Sequence, residues 1–228
     1  MNNTMDQIAR DVGECRSCPR LVEWREQVGR EKRRSFRDWT YWARPVPGFG
    51  DPEARVLVVG LAPAAHGANR TGRVFTGDRS GDWLFAALHR AGFANQPTSL
   101  AADDGLELTD LYVTAAVKCA PPENKPTPEE RNLCRPFLVR EIEALHRLRV
   151  IVCLGGFGWD QVLRTLRTMG VALADPMPRF GHMVEARLPG GVTMIGCYHP
   201  SQQNTFTGRL TVPMIDAVFT AARRAATG

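Results

Sequence analysis

Short, continuous apolar runs alternate with amphipathic segments along this chain, and this alternation constrains the fold more than any other feature. The runs that we interpret as strands span residues 56–59, 111–117, 150–154 and 192–197. Continuous apolar strands separated by helices are typical of a parallel sheet that is covered on both faces. We therefore predict an α/β fold, a three-layer sandwich with a central four-stranded parallel sheet and helices on both faces.

Capping residues and helical periodicity predict helices between these strands. The predicted helices span residues 5–30 with a break around 15–19, 82–91, 126–148, 160–169 and 211–225. Thr127 is the expected N-cap of the third of these helices, and Pro128 is its expected first residue. Residues 183–188 are expected to pair with the last strand across a Pro-Gly-Gly turn.

Length and composition set broad limits on the class of protein. A chain of 228 residues with 43% hydrophobic residues fits one domain, residues 1–228, with its own core. Lys and Arg outnumber Asp and Glu by 29 to 24, a modest excess that fits an acidic partner such as nucleic acid. The basic run 31–34 fits either a solvated surface or phosphate contact. Because no apolar run could span a bilayer and the N-terminus lacks a signal-peptide core, we expect a soluble, cytoplasmic protein with no membrane partner.

Four unusual loops follow the predicted strands. In open parallel sheets the ligand lies beyond the carboxyl ends of the strands, so these loops are expected to converge on one site. The first loop, GLAPAAHGANRTGRVFTGD at residues 60–78, is small and uncharged until Asp78. It is not a phosphate-binding P-loop, because Arg73-Val74 stands where Lys-Ser/Thr would be required. The loop GGFGWD at residues 155–160 lacks the third glycine of a dinucleotide fingerprint, and we interpret it as a tight turn.

The six cysteines divide into two groups. Cys153 and Cys197 lie within apolar runs, so they are expected to be core residues. The other four lie in polar settings close to loops: Cys15, Cys18, Cys119 and Cys134. Disulfides are not expected in a reducing compartment, whereas four thiolates can hold either a zinc ion or an iron–sulfur cluster. Spacing alone leaves these two alternatives open.

Three long motifs, taken together, resemble the family 5 (type-b) uracil-DNA glycosylases. They are GLAPAAHGxNRTGRxFTGD, KCAPPxNKPTPxE and HPSQQNTFTGR, and the likeness extends over nearly the whole chain. The resemblance implies a four-stranded parallel sheet with helices on both faces and a [4Fe-4S] cluster. The implied cluster ligands are Cys15, Cys18, Cys119 and Cys134. The implied partner is DNA containing uracil or other damaged bases, and we expect the protein to be a monomer.

The resemblance also implies a pocket for a base that is flipped out of the duplex. Phe75 corresponds to the aromatic residue on which the base stacks, with ordinary core packing as the alternative. His199 is expected to donate a hydrogen bond to the anion that develops on the base. Asp78 is expected either to orient water or the sugar, or to cap the helix around Gly81. The other expected substrate-binding residues are Gly60, Ala62, Ala64, Ala65, His66, Asn124, Ser201 and Asn204.

Further roles within these motifs are expectations of the same kind. Ser201 can cap a helix, Asn124 is expected to read a base edge, and Gln203 and Asn204 either fix the histidine loop or touch DNA. Other branches of the superfamily carry an acid or an asparagine in the opening loop, where Leu61 and its neighbour stand here. Catalysis is therefore expected to depend mainly on stabilisation of the leaving base.

The activity expected from this resemblance is a monofunctional DNA glycosylase. It would hydrolyse the N-glycosidic bond of uracil in double-stranded DNA and leave an abasic site for base excision repair. Further expected substrates are hypoxanthine, ethenocytosine and 5-hydroxymethyluracil. The alternative from another class is a non-catalytic iron–sulfur module that binds DNA.

Overall fold

A computed structural model of the chain describes residues 4–227. Six strands form one sheet in the order β1-β3-β2-β4-β6-β5. The strands are β1 Phe49–Gly50, β2 Val56–Gly60, β3 Leu111–Ala115, β4 Val150–Leu154, β5 Glu185–Arg187 and β6 Thr193–Cys197.

The sheet contains the predicted parallel core and is larger than predicted. Strands β3, β2, β4 and β6 run parallel, with Val58 level with Val113 on one side and with Val152 on the other. All residues of these four strands are buried, as the continuous apolar runs predicted. The edge strands β1 and β5 are antiparallel to their neighbours, so within residues 4–227 the sheet is mixed and has six strands rather than four. Strand β5 confirms the expected pairing of residues 183–188 with the last strand.

Helices cover both faces of the sheet, which confirms the predicted three layers. The helices are α1 Met5–Glu14, α2 Pro19–Glu31, α3 Ala68–Thr71, α4 Arg79–Arg90, α5 Pro128–Ala144, α6 Gly155–Thr168, α7 Gln202–Phe206 and α8 Val212–Thr227. Helices α4 and α8 pack with Val56 and Val58 on one face of β2. Helices α5 and α6 pack with Leu57 and Val59 on the other. None of the helices within residues 4–227 is both long and apolar enough to cross a membrane.

Two helix starts differ from the prediction. Helix α6 begins at Gly155, so GGFGWD forms its first turn and is not a separate tight turn. The reason is close packing, because a Cβ on Gly158 would lie 2.8 Å from the carbonyl oxygen of Val59 in β2. Helix α4 begins at Arg79 rather than at residue 82. The start of α5 is confirmed: Thr127 is its N-cap, with a complete capping box.

Candidate active site

Loops from β2 and β6 meet at the carboxyl edge of the sheet. The strands lie on either side of β4 and run in the same direction, so the loop 61–78 and the loop that begins at residue 198 leave the same edge. The rings of Phe75 and His199 lie 6.1 Å apart between centroids, and their planes are inclined at 36°. The structure therefore brings together the two residues that the sequence assigned to base stacking and to leaving-group stabilisation.

Phe75 occupies a restrained position in the site. Its φ is 52°, a left-handed value that costs a non-glycine residue about 1–3 kcal/mol. The side chain is partly buried and packs on the core under α4 and α8. A Cβ on Gly60 would lie 2.5 Å from the ring Cζ of Phe75. The lack of a side chain at Gly60 therefore leaves room for the Phe75 ring. The sequence did not predict this contact.

His199 is partly buried and electrically neutral. Burial lowers the pKa of His199 to about 4, so its imidazole carries no charge near pH 7. Its backbone carbonyl accepts a 2.8 Å hydrogen bond from Nδ2 of Asn204. Within the described residues, no protein group hydrogen-bonds the His199 ring. A neutral imidazole of this kind can donate a hydrogen bond from its ring N–H to a ligand.

Asp78 is the N-cap of α4. Its Oδ1 accepts a 3.0 Å hydrogen bond from the Gly81 N–H, as the capping interpretation predicted. Its other oxygen lies against Gly67, where a Cβ would collide with the carboxylate. Burial raises the pKa of Asp78 above the usual range of an aspartate. The capping role uses one carboxylate oxygen, and the water-orienting role stays a prediction.

His66 is held by a residue that the sequence analysis missed. The Tyr41 hydroxyl lies 3.0 Å from Nδ1 of His66, and it also accepts the Arg33 N–H at 3.5 Å. Burial and the nearby charges of Arg33 and Arg70 lower the pKa of His66, which favours the neutral ring. A neutral imidazole has one N–H, so Nδ1 of His66 either accepts the hydrogen of the Tyr41 hydroxyl or donates its own to that oxygen. Tyr41 lies in an irregular segment with no periodicity, so only the three-dimensional contact identifies it.

A second missed residue, Arg70, braces the loop 61–78. Its guanidinium donates 2.8 Å hydrogen bonds to the carbonyls of His66 and Gly77. The same group lies 3.9 Å from the ring centre of Phe36 and 4.0 Å from that of Trp39. Buried arginine of this kind fixes backbone that would otherwise lack partners. Arg70 thus connects both halves of the loop to the segment that follows α2.

Three residues of the opening loop have local packing roles. The Ala64 carbonyl accepts hydrogen bonds from the N–H groups of Gly67 and Asn69, at 3.2 and 3.1 Å. The Ala65 carbonyl accepts from the Asn69 side chain at 3.4 Å. Ala62 packs on the apolar surface around the cysteines. These contacts shape the loop, and base binding by the three alanines stays a prediction.

The remaining predicted residues behave differently from one another. Asn204 fixes the histidine loop through the carbonyl of His199, which was one of its two expected roles. Ser201 occupies the N-cap position of α7, but its hydroxyl makes no capping hydrogen bond, so that expectation was wrong. Asn124 is exposed on a short turn, with φ of 57°. Within the described part of the chain, no hydrogen bond joins Asn124 to Phe75 or His199.

The four cysteines that lie in polar surroundings close to loops line one pocket. They are Cys15 after α1, Cys18 at the start of α2, Cys119 after β3 and Cys134 in α5. Burial raises the pKa of Cys119 to about 11 and that of Cys134 to about 12, so both are protonated thiols in the absence of a metal. Cys153 and Cys197 are buried in strands, as predicted.

The charge around this pocket fits an anionic group. Arg25 is 1% exposed, and its Nη1 donates to Cys119 Sγ at 2.9 Å. Its Nη2 donates to the Cys15 carbonyl at 3.3 Å, and its Nε has no partner among the described atoms. Because a buried cation is costly without an opposite charge, four thiolates bound to iron would supply what Arg25 lacks.

Across residues 4–227, no three His, Cys, Asp or Glu side chains are placed to hold a single metal ion. The zinc ion and the [4Fe-4S] cluster both stay predictions for the four cysteines.

Comparison with known proteins agrees with this geometry. Residues 47–223 match the family described as the Uracil DNA glycosylase superfamily. A type-5 uracil-DNA glycosylase of Mycobacterium tuberculosis is 56% identical over 216 residues, which are 94% of this chain and 79% of that protein. One of Thermus thermophilus is 51% identical over 212 residues, 93% of this chain and 94% of the relative.

A more distant relative belongs to another branch of the same superfamily. A type-4 uracil-DNA glycosylase of Archaeoglobus fulgidus is 33% identical over 199 residues, 87% of this chain and 82% of that protein. The region matched by the superfamily contains both pocket loops, with Phe75 and His199. The chain therefore belongs to the uracil DNA glycosylase superfamily and, within it, to the type-5 family.

Proposed function

We propose that this DNA N-glycosylase hydrolyses the bond between uracil and deoxyribose in double-stranded DNA and leaves an abasic site for base excision repair. The proposal extends to hypoxanthine, ethenocytosine and 5-hydroxymethyluracil, and to a monomer acting in the cytoplasm. One observation carries it: a neutral His199 ring, with no hydrogen-bond partner among residues 4–227, stands beside the Phe75 ring at the carboxyl edge of the sheet. Type-5 relatives that are named uracil-DNA glycosylases support the same activity.

The reaction places negative charge on the departing base and positive charge on the sugar. A neutral His199 donates a hydrogen bond to the base oxygen, and this bond strengthens as the negative charge develops. Such a bond stabilises the transition state more than the ground state, and this difference accelerates the reaction. Loss of one preorganised donor of this kind typically costs about 2.7–4 kcal/mol. The partly buried setting of His199 favours the effect, because water screens the charge less there.

Permissive base choice follows from the make-up of the loop 61–78. A flat base can stack on Phe75, and small residues such as Ala64 and Ala65 let backbone approach its edge. The opening loop has no charged side chain that would impose one pattern of donors and acceptors before Arg70. Arg70 itself is occupied by two backbone carbonyls. The shape of a base and its stacking on Phe75 therefore decide which bases enter the pocket more than a fixed pattern of hydrogen bonds does.

A monofunctional reaction is supported by the distribution of lysines. The chain has three lysines. Lys118 is buried and pairs with Glu141 at 2.7 Å, and Lys125 pairs with Glu123 at 3.1 Å. Lys32 donates to a backbone carbonyl after α2. None of the three hydrogen-bonds to Phe75 or His199, so within residues 4–227 no lysine amine is held at the pocket to form a Schiff base with the sugar. Borohydride should therefore trap no protein–DNA adduct.

We also propose that Cys15, Cys18, Cys119 and Cys134 hold a [4Fe-4S] cluster. When bound, the cluster would act as a cross-link from the first two helices to the end of β3 and the start of α5. Purified protein should contain roughly four irons per chain, as four thiolate ligands allow. Cys15→Ala should lose iron, while Cys153→Ala should keep it. Stoichiometric zinc without iron in protein prepared anaerobically would contradict this assignment.

The activity is tested with a duplex that contains one uracil. Protein is incubated with the labelled duplex without added metal, and abasic sites are converted to breaks by alkali. We expect breaks at uracil and, in parallel duplexes, at the three further bases, with none in an undamaged duplex. His199→Ala serves as the control for a contaminating enzyme. Tight binding without any breaks would favour the non-catalytic DNA-binding module instead.

A further inference from the structure

The segment after α2 carries most of the chain's excess positive charge. Residues 32–44, which we call the basic–aromatic segment, contain five cations and one acid, a net charge of +4 in a chain whose net charge is +5. The cations are Lys32, Arg33, Arg34, Arg37 and Arg44. Within the described part of the chain, none of them forms an ion pair.

The same segment exposes large aromatic side chains. Trp39 and Trp42 are each 38% exposed. The Arg44 guanidinium lies 5.1 Å from the ring centre of Trp42. Trp39 packs on the buried guanidinium of Arg70, so its ring is held in place rather than free to turn inward. Exposed aromatic rings interleaved with unpaired arginines are typical of a surface that binds nucleic acid, and a merely solvated charged surface does not need them.

The segment lies beside the candidate active site. Its Trp42 and Ala43 N–H groups donate to the carbonyls of Arg70 and Asn69, at 2.9 and 3.0 Å. Its Tyr41 hydroxyl lies 3.0 Å from His66. These contacts join the segment to the same loop that carries Phe75 and Asp78. A duplex whose flipped nucleotide enters the pocket would therefore pass close to these arginines.

We propose that the basic–aromatic segment binds the phosphodiester backbone of duplex DNA beside the flipped nucleotide. Arg33, Arg34 and Arg37 are all exposed and would contact phosphates, while the exposed parts of Trp39 and Trp42 pack against sugars. This inference rests on the proposed action on DNA. It concerns a surface outside the pocket, and the contact carries no information about the damaged base.

Phosphate contacts have a measurable signature. Each neutralised phosphate contributes about 0.9 to the slope of log affinity against log salt concentration. Replacing three contacting arginines should therefore reduce the magnitude of that slope by about 2.7. The loss should be the same for damaged and undamaged duplexes, because the contacts are to the backbone.

The test compares two variants that remove equal charge. The first is Arg33→Gln/Arg34→Gln/Arg37→Gln. The control is Arg147→Gln/Arg149→Gln/Arg224→Gln, three exposed arginines at the amino edge of the sheet, near the start of β4 and the end of α8. Binding to an undamaged duplex is measured by fluorescence anisotropy from about 50 to 200 mM salt. This readout needs no excision, so a failure of the proposed catalysis would be seen separately.

We expect the first variant to bind more weakly with a shallower salt dependence, and the control to keep the wild-type slope. The single exchange Arg34→Glu, at an exposed side chain, should shift affinity in the same direction. Equal slopes for wild type and first variant would overturn the proposal and would point to a protein or other partner for this segment. A control that lost as much slope as the first variant would also overturn it, because the effect would then be one of net charge alone.

Discussion

The rings of Phe75 and His199 are neighbours at the carboxyl edge of the sheet, with centroids 6.1 Å apart and planes inclined at 36°. A stacking surface and a neutral hydrogen-bond donor therefore lie close enough for one base to contact both. Phe75 has a left-handed backbone, and His199 is partly desolvated, which lowers its pKa. Strain and desolvation at the same point are typical of a functional site.

Gly60→Ala should damage the pocket without damaging the fold. The new methyl would lie 2.5 Å from the Phe75 ring, so the ring must move from its present position. Base stacking on an aromatic ring is worth about 1–3 kcal/mol, and we expect a loss of that order in single-turnover kcat/KM on uracil duplex. Gly13→Ala in α1, whose methyl would lie 3.7 Å from Arg44, is the matched control and should keep wild-type activity. Unchanged activity of Gly60→Ala would show that the ring position is unimportant.

Arg25→Met should weaken the hold on the iron–sulfur cluster that we propose for the cysteine pocket. The guanidinium donates to Cys119 Sγ, and a hydrogen bond to a charged group contributes about 1.5–3 kcal/mol. Iron should therefore pass to an added chelator faster than in wild type, which is followed by the loss of visible absorption. Arg16→Met, which removes an exposed arginine paired with Glu26, is the control and should release iron at the wild-type rate. Equal rates for both variants would contradict a role for Arg25.

Acid should destabilise the protein partly through His199. The pKa of His199 is about 4 in the folded state, whereas an unfolded histidine has a pKa of about 6.5. Between these values the unfolded chain binds more protons, so stability falls as the pH drops from about 6.5 toward 4. His199→Gln cannot take up this proton, and its Tm should fall less between pH 7 and pH 4.5. The control is His146→Gln, at an exposed histidine. If the Tm of His199→Gln fell as much between pH 7 and pH 4.5 as the Tm of His146→Gln, the assignment would be contradicted.

The sequence predicted those elements whose pattern is local. Strands buried on both faces are continuous apolar runs, so the four central strands could be recognised. Strand β1 has only two residues, so it did not stand out, whereas β5 was expected as the partner of the last strand across the Pro-Gly-Gly turn. The start of α6 was missed because its glycines resemble a turn, although Gly158 serves close packing on β2.

The site was predicted only where a motif names the residue. Phe75, Asp78 and His199 lie in long motifs, so the sequence identified them as candidate site residues. Tyr41 and Arg25 gain their roles from partners distant in sequence, and the contact of Arg25 with Cys119 spans 94 positions. No spacing rule predicts such contacts, because they depend on how α2 and the segment after it pack against the sheet.

The central claim is that His199, and not Asp78, carries most of the catalysis. Asp78→Asn keeps an oxygen that can accept the Gly81 N–H, and asparagine caps a helix about as well as aspartate. His199→Ala removes the donor to the leaving base and should slow excision by about 100- to 1000-fold. The deciding measurement is the single-turnover excision rate of both variants on a uracil duplex at saturating protein. We expect His199→Ala to be much the slower of the two, and a far slower Asp78→Asn would contradict this account by making the acid at the end of the loop the main catalyst.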